Sequence, residues 1–539
     1  MNGSVKSPFI CFNAWEGTLP EASSIFLLMN TSRILTAILV ATASLSFPAA
    51  HAESSKPNIL VIYGDDLGFG DLTVYNPDSK IPTPNLNQLA SEGMRFTDGH
   101  SSSGICTPSR YALLTGRHHW RKFYGIVNAF GGSAFDAERL TLPEMLKERG
   151  YHTAAIGKWH LGWNWDAIRK PDAVQIGDGK KKAWGPEAFD WSMSIPDGPL
   201  DHGFDHYFGD TVINFPPYCW IENDRVPKVP DVMMDTELWK PIKEGNWECR
   251  PGPMTSDWDP YENIPTTTKR GVEYIHAQAK TDAPFFLYFA FPAPHAPIIP
   301  NDKFDGKSEA GPYGDLVVET DDACGQLLRA LKESGQADNT IVVFSADNGP
   351  EKYAYARDEN FDHWSAYPFR GLKRDIYEGG HHVPFIIKWP GVIDAGKISD
   401  ALVSQIDLMA TFAEVTGYDL PDNQAEDSHS LLAHIKGETD SVRTTHIHNT
   451  KENSFAIRHG DWVLVDAPHG YMSGRNAAWE EKHNYPADDK QDAELYHLSE
   501  DLGQRHNLAT EHPERVEELR TLLNQIREQG YSAPRLSGK

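Results

Sequence analysis

The sequence predicts an α/β protein: one large mixed, mostly parallel sheet sandwiched by helices, with a small C-terminal α+β subdomain. Three observations carry this. Short, wholly apolar runs stop abruptly at polar loops, as strands buried on both faces do. Amphipathic helical segments alternate with those runs, the order that builds a sheet covered on both sides. Beyond about residue 440 apolar and polar residues alternate singly, the pattern of a sheet with one wet face.

In chain order, "PNILVIYGDDLG" is a buried strand with Asp65 and Asp66 at its carboxyl end. "TPNLNQLASEG" is a helix with Thr83 as N-cap, Pro84 in the first turn and Gly93 as its stop. In "ICTPSRYALLTGR", Thr107 is read as the cap and Pro108 as the helix start. That sets Cys106 at the positive end of the helix dipole and Arg110 one turn on. "YHTAAIGKWHLG" and "APFFLYFAFPAPHAP" are further strand-to-loop units, and Cys324 falls on an amphipathic helix that buries it. "NTIVVFSADNGP" repeats the first pattern, with Asp347 and Asn348 just past the strand. Such sheets bind ligands beyond the carboxyl ends of their strands. Asp65, Asp66, Asp347 and Asn348 are therefore expected to converge.

Residues 163–260 break the rhythm, being rich in Trp, Pro, Gly and Asp. Eight of the 15 tryptophans fall there: Trp163, Trp165, Trp184, Trp191, Trp220, Trp239, Trp247 and Trp258. Two readings stand side by side, an insertion stapled by aromatics and a sugar-stacking surface. The tail holds an alternating strand, "FAIRHGDWVLVD", then "ELYHL" and a final helix begun by Pro513. Val516, Leu519, Leu523 and Ile526 give that helix one apolar face.

Formal net charge is −26 without a basic block, which argues against nucleic acid and anionic membranes as partners. A local cluster of cations still allows an acidic substrate. From Met29, the lone Arg33, the apolar run Ile34–Leu45 and Ala50-His51-Ala52 read as a secretory signal cut after Ala52. The run is short of the ~18 residues of a membrane span, and no cysteine follows the cut, so no stable membrane anchor is expected. Residues 29–52 are thus read as signal peptide, 1–28 as an upstream stretch outside the native protein, and the mature chain as periplasmic or secreted. Cys219 and Cys249 are open to a disulfide in that compartment. No C-x-x-C pair exists, which excludes a zinc ribbon or a thioredoxin-like site. The pairs His118-His119 and His381-His382 are assigned no metal, because neighbours in a strand face apart.

Cys106 has no such ordinary home. A C-x5-R phosphatase loop fails, since Ala112 holds the arginine's place, and Lys158 lacks the G-x4-G-K-[ST] frame of a phosphate loop. The stretch resembles instead the C-x-P-S-R and L-T-G-R signature of the formylglycine-dependent (type I) sulfatases, within the alkaline phosphatase superfamily. "GYHTAAIGKWH" resembles that family's second signature, "GLKRDIYEGGHHVPF" its lysine segment and "ELYHLSEDLGQRHNLA" its C-terminal tail. Leu502-Gly503 departs from the usual Asp-Pro there. The resemblance spans nearly the whole mature chain, and its flavour is that of arylsulfatase A and N-acetylgalactosamine-6-sulfatase.

The resemblance implies an exported sulfatase acting on a sulfated saccharide or aryl sulfate, in an alkaline-phosphatase-like fold. It implies a catalytic domain over 53–440 and a subdomain over 441–539. Cys106 would be oxidised to 3-oxoalanine (formylglycine) by a formylglycine-generating enzyme, and the hydrated aldehyde would offer one hydroxyl to attack sulfur and a second to expel sulfate. Asp65, Asp66, Asp347 and Asn348, with residue 106, would hold one Ca²⁺, for which an all-oxygen set is suited. Arg110 and Lys158 would hold developing charge, and His160 would act as base. His295 and Lys373 would grip sulfate and protonate the leaving alcohol. A phosphate mono- or diesterase of the same superfamily and a silent glycan-binding relative are the rival readings. The sugar, the sulfate position and the oligomeric state are left open.

Overall fold

The computed structural model describes residues 56–179, 182–486 and 491–534. The signal and upstream segments expected before residue 53 lie outside these. A nine-stranded sheet runs in the order Lys397–Ser399, Met94–Phe96, Phe385–Lys388, Thr340–Ala346, Asn58–Gly64, Phe285–Ala290, His152–Gly157, His206–Gly209, Ile221–Glu222. The five strands from Thr340–Ala346 to His206–Gly209 are mutually parallel, so their carboxyl ends share one edge. Antiparallel strands flank them on both sides.

Side chains of the Asn58–Gly64 strand alternate between two cores, as the period of two requires. Ile59, Val61 and Tyr63 pack with Leu113, Leu146 and Phe412 on one face. Leu60 and Ile62 pack with Leu89, Leu316 and Leu327 on the other. Helices thus cover both faces, as the apolar runs predict. Cys324 is fully buried in the second core.

The tail folds into a four-stranded antiparallel meander, Thr445–Lys451, Ser454–His459, Trp462–Asp466 and Glu494–His497. The Pro513–Gln529 helix lays Val516, Leu519, Leu523 and Ile526 against it. None of the eight tryptophans of 163–260 is exposed, and Trp163 and Trp165 lie in the core at 1% and 2% exposure. Trp163, Trp165, Trp191, Trp239 and Trp258 are buried and staple the insertion, so the sugar-stacking reading does not hold for these five; Trp184, Trp220 and Trp247 are half-buried and pack on Phe189, Trp258 and Trp239. Cys219 and Cys249 are both free thiols here. No helix among the described residues is long and apolar enough to cross a membrane.

Candidate active site

Each parallel strand delivers polar groups to the shared edge. Asp65 and Asp66 follow Gly64, and Asp347 and Asn348 follow Ala346. Lys158 and His160 follow Gly157, and His295 lies in the loop after Ala290. Their backbones are pinned to neighbouring strand ends: Asp65 N–H donates to Ala293 O at 3.0 Å, Asp347 N–H to Gly64 O at 3.1 Å and Lys158 N–H to Ala290 O at 2.9 Å. Asp66 sits at φ 63° and His160 at φ 55°, left-handed conformations held by these surroundings.

Cys106 is the first residue of the helix Cys106–Thr115, with Ile105 in the cap position and no side-chain cap. The expectation that Thr107 caps the helix is corrected. Its hydroxyl instead donates to His160 O at 2.9 Å and accepts from Val127 N–H at 3.1 Å, tying the helix to the Lys158 loop. Arg110, one turn on, donates to Asp347 Oδ2 from Nε (3.0 Å) and Nη2 (2.8 Å). Its guanidinium lies over the Tyr63 ring at 5.4 Å.

The carboxylates interlock. Asp66 accepts from Asn348 Nδ2 at Oδ1 and from Lys373 Nζ at Oδ2, both at 2.7 Å. Lys158 pairs with Asp65, and His295 Nε2 stands 3.8 Å from Asp66 Oδ2. Asp65, Asp66, Cys106 and His295 bring their ligand atoms within 4.8 Å of one another. All the residues expected for the site therefore meet in one place.

Two buried oxygens, Asp65 Oδ1 and Asn348 Oδ1, have no hydrogen-bond partner among the described residues. Burial and the Asp65 charge push Asp347 up to about 7, against the pull of Arg110 and Lys158. A crowd of carboxylates with orphaned oxygens fits a hard cation. Arg110, Lys158 and Lys373 balance Asp65, Asp66 and Asp347, so a divalent ion leaves the site doubly positive, a setting for an anionic substrate in an acidic protein.

Burial dominates the remaining titrations. It pushes the Cys106 thiol up to about 12, although Lys158 and Lys373 pull the other way. It holds His160 well below its ordinary value, helped by Lys158 and Arg110. His160 Nε2–H donates to Val127 O at 3.0 Å, which leaves Nδ1 with the lone pair and no partner. His295 is lowered by burial and Lys373. Lys373 is raised: Asp66, Cys106 and Glu351 outweigh its burial.

A cavity of about 200 Å³ opens onto Cys106, lined also by Asn214, Phe215, Glu248, Arg250, Glu351 and Arg374. Sequence reasoning missed these, and it missed Asp210, which follows the His206–Gly209 strand at the same edge. Asp210 is 1% exposed, raised to about 6 by burial, and accepts from Asn263 Nδ2 at 3.0 Å. The signal for Asp210 was its place after a strand. A larger cleft of about 660 Å³, between Arg370 and Glu511, contains none of the groups gathered at Cys106.

The family profile described as Sulfatase matches residues 57–418, and that described as N-sulphoglucosamine sulphohydrolase, C-terminal, matches 371–529. The chain is 30% identical to an N-acetylgalactosamine-6-O-sulfatase of Bacteroides thetaiotaomicron, over 88% of this chain and 94% of that one. It is 31% identical to human N-acetylgalactosamine-6-sulfatase, over 89% and 87%. A Bacteroides thetaiotaomicron structure from work on glycosaminoglycan metabolism superposes with a TM-score of 0.72 at 28% identity, covering 88% of this chain and all of that one.

Proposed function

The chain belongs to the sulfatase family, hydrolases of sulfate esters, and on that premise we propose that it removes sulfate from the terminal residue of a sulfated saccharide, N-acetylgalactosamine 6-sulfate first among candidates. The observation that carries this is the convergence of Arg110, Lys158, Lys373, His160 and His295 with four metal-suited ligands around residue 106. The sugar assignment rests on the names of the relatives. Exo action rests on the cavity, whose 200 Å³ is below the ~300–1,000 Å³ of sites that enclose drug-sized ligands. Catalysis is placed within 53–440, with 441–539 as the subdomain beside it. Export to the periplasm or the medium rests on the signal-like segment Met29–Ala52.

In this reading Cys106 is matured to formylglycine, and Asp65, Asp66, Asp347 and Asn348 hold Ca²⁺. When present, the ion supplies Lewis-acid charge and a template, and the modified residue supplies the oxygen nucleophile. The chain's own groups do the rest. Arg110 fixes Asp347 through two hydrogen bonds to Oδ2, and Asp347 is the carboxylate that takes a proton from the nucleophile. Lys158 and Lys373 hold the charge that grows on the sulfate oxygens, and Lys373, raised by Asp66, stays cationic throughout. His160, neutral with a free Nδ1 lone pair, takes the proton whose loss releases sulfate. His295 turns Nε2 inward because Nδ1–H donates to Ala296 O at 2.6 Å, so Nε2 carries a proton for the leaving alcohol only when the ring is an imidazolium.

The test is a panel of defined saccharides with calcium present. Terminal 6-sulfated N-acetylgalactosamine should be desulfated and the same unit inside a longer chain left intact. Preference for a matched phosphate ester would replace the sulfatase reading of the site, and equal action on internal units would remove the exo assignment.

The metal assignment has its own test. Asp66→Ala and Asn348→Ala should each weaken calcium binding in calorimetry and lower turnover, while thermal unfolding stays cooperative. Both side chains lie at strand ends outside the apolar cores. Full activity after exhaustive chelation would contradict the assignment.

A further inference from the structure

Away from the active-site carboxylates, three imidazoles meet in a fully buried pocket. His100 ends the strand Gly99–His100, His381 follows the turn Glu378–Gly380, and His448 sits in the strand Thr445–Lys451 of the C-terminal sheet. Their exposures are 0%, 1% and 1%. One ring nitrogen from each lies within 4.8 Å of the others.

The hydrogen bonds around them assign the protons. His100 Nε2 faces Asp98 Oδ1 at 2.7 Å, and His381 Nε2 faces Ile376 O at 3.3 Å. A carboxylate and a carbonyl only accept, so both Nε2 atoms carry the hydrogen. Each neutral ring then presents a lone pair at Nδ1, and the two Nδ1 atoms face each other at 3.2 Å. Two acceptors in that position need a cation between them. His448 has no hydrogen-bond partner at either ring nitrogen among the described residues; its ring lies nearly parallel to that of His381, centroids 3.3 Å apart, and has to turn for one ion to lie in both ring planes.

Neutral imidazole is the form that binds metal. Two nitrogens bound at about 2.0–2.1 Å to a tetrahedral zinc ion stand about 3.3 Å apart, close to the spacing seen. Asp98 behind His100, itself held by Arg458 Nη1 at 2.6 Å, is the carboxylate that commonly orients a ligating histidine. His446 and His382 are not ligands: Arg443 donates to His446 Nδ1 at 3.2 Å, and both His382 nitrogens are engaged, by Glu378 and Thr97.

We propose that His100, His381 and His448 form a second metal site, which binds a divalent ion of the zinc class and clamps the C-terminal sheet to the segments behind Cys106. Imidazole ligands select such an ion over calcium. The clamp reaches the reactive helix through Ser103, whose hydroxyl donates to Asn449 O at 2.8 Å and whose carbonyl accepts from Ser109 Oγ at 2.9 Å. His381 and His382 do not lie in a strand, and both rings pack against His100, at 5.4 and 4.5 Å, so the expectation that this pair takes no metal is revised for His381. The metal partners come from elsewhere in the chain, where no sequence spacing announces them.

The experiment is metal analysis of the full chain made in zinc-supplemented medium, dialysed against chelator, then acid-digested. About one equivalent of zinc should remain in a site this closed, be lost in His448→Gln, and persist in Asp66→Asn. Zinc-edge X-ray absorption on the wild type provides a second reading that needs no variant, with a shell of three imidazole nitrogens expected. Wild-type protein free of transition metal, zinc lost through Asp66→Asn but kept in His448→Gln, or a shell dominated by carboxylate oxygen would each overturn the proposal.

Discussion

Cys106→Ser should lose turnover by roughly 10⁶-fold, the scale on which removing a nucleophile cripples a hydrolase, while its melting transition moves little. The side chain is 3% exposed and the change nearly isosteric, so the helix Cys106–Thr115 keeps its packing. Chemistry makes the loss large. A serine has one hydroxyl and no second oxygen on the same carbon to expel sulfate. An unmodified thiol offers no alternative route: with its pKa pushed up to about 12 by burial, only about one in 10⁵ is ionised at pH 7. The measurement is multiple-turnover hydrolysis in a host whose maturing enzyme acts on cysteine. A serine variant within tenfold of the wild type would refute the role given to residue 106.

His295→Ala should slow hydrolysis of a sulfated sugar by about 10²–10⁴-fold, the usual contribution of a positioned acid, and slow an activated aryl sulfate far less. A sugar alkoxide needs a proton as the S–O bond breaks, whereas a nitrophenolate does not. The loss corresponds to about 3–5 kcal/mol of barrier. Lys158→Ala should slow both substrates alike, because both develop charge on sulfate. The acid must be protonated to act, and burial with Lys373 lowers His295. Activity on the sugar substrate should therefore fall with rising pH from a point below about 6.5, the ordinary imidazole value, with no matching limb for the aryl sulfate. Equal losses on both substrates would make His295 a sulfate-binding group and leave Lys373 as the proton source.

Much of the site was legible because a parallel strand buried on both faces announces its end. "ILVIY" and "IVVF" are unbroken apolar runs inside these strands, so Asp65, Asp66, Asp347 and Asn348 stand out as the carboxylates and amide that follow them. Asp210 obeys the same rule but follows only four residues, "HYFG", inside an aperiodic stretch. Thr107 misled because its hydroxyl found a tertiary partner, His160 O, in place of the local cap that propensity favours. Composition left the tryptophans of 163–260 undecided, since clustering does not tell a buried staple from an exposed platform. Glu248, Arg250, Glu351 and Arg374 line the cavity from loops, where no periodicity exists to read. His100, His381 and His448 come from three distant segments whose meeting is a product of the fold alone.

The central claim is that this chain acts through a modified Cys106, and peptide mass spectrometry on catalytically active protein tests it most directly. The account predicts that the peptide ending at Arg110 carries the aldehyde mass, and that specific activity across preparations rises in proportion to the modified fraction. Full activity from protein in which residue 106 is entirely an unmodified thiol would contradict it.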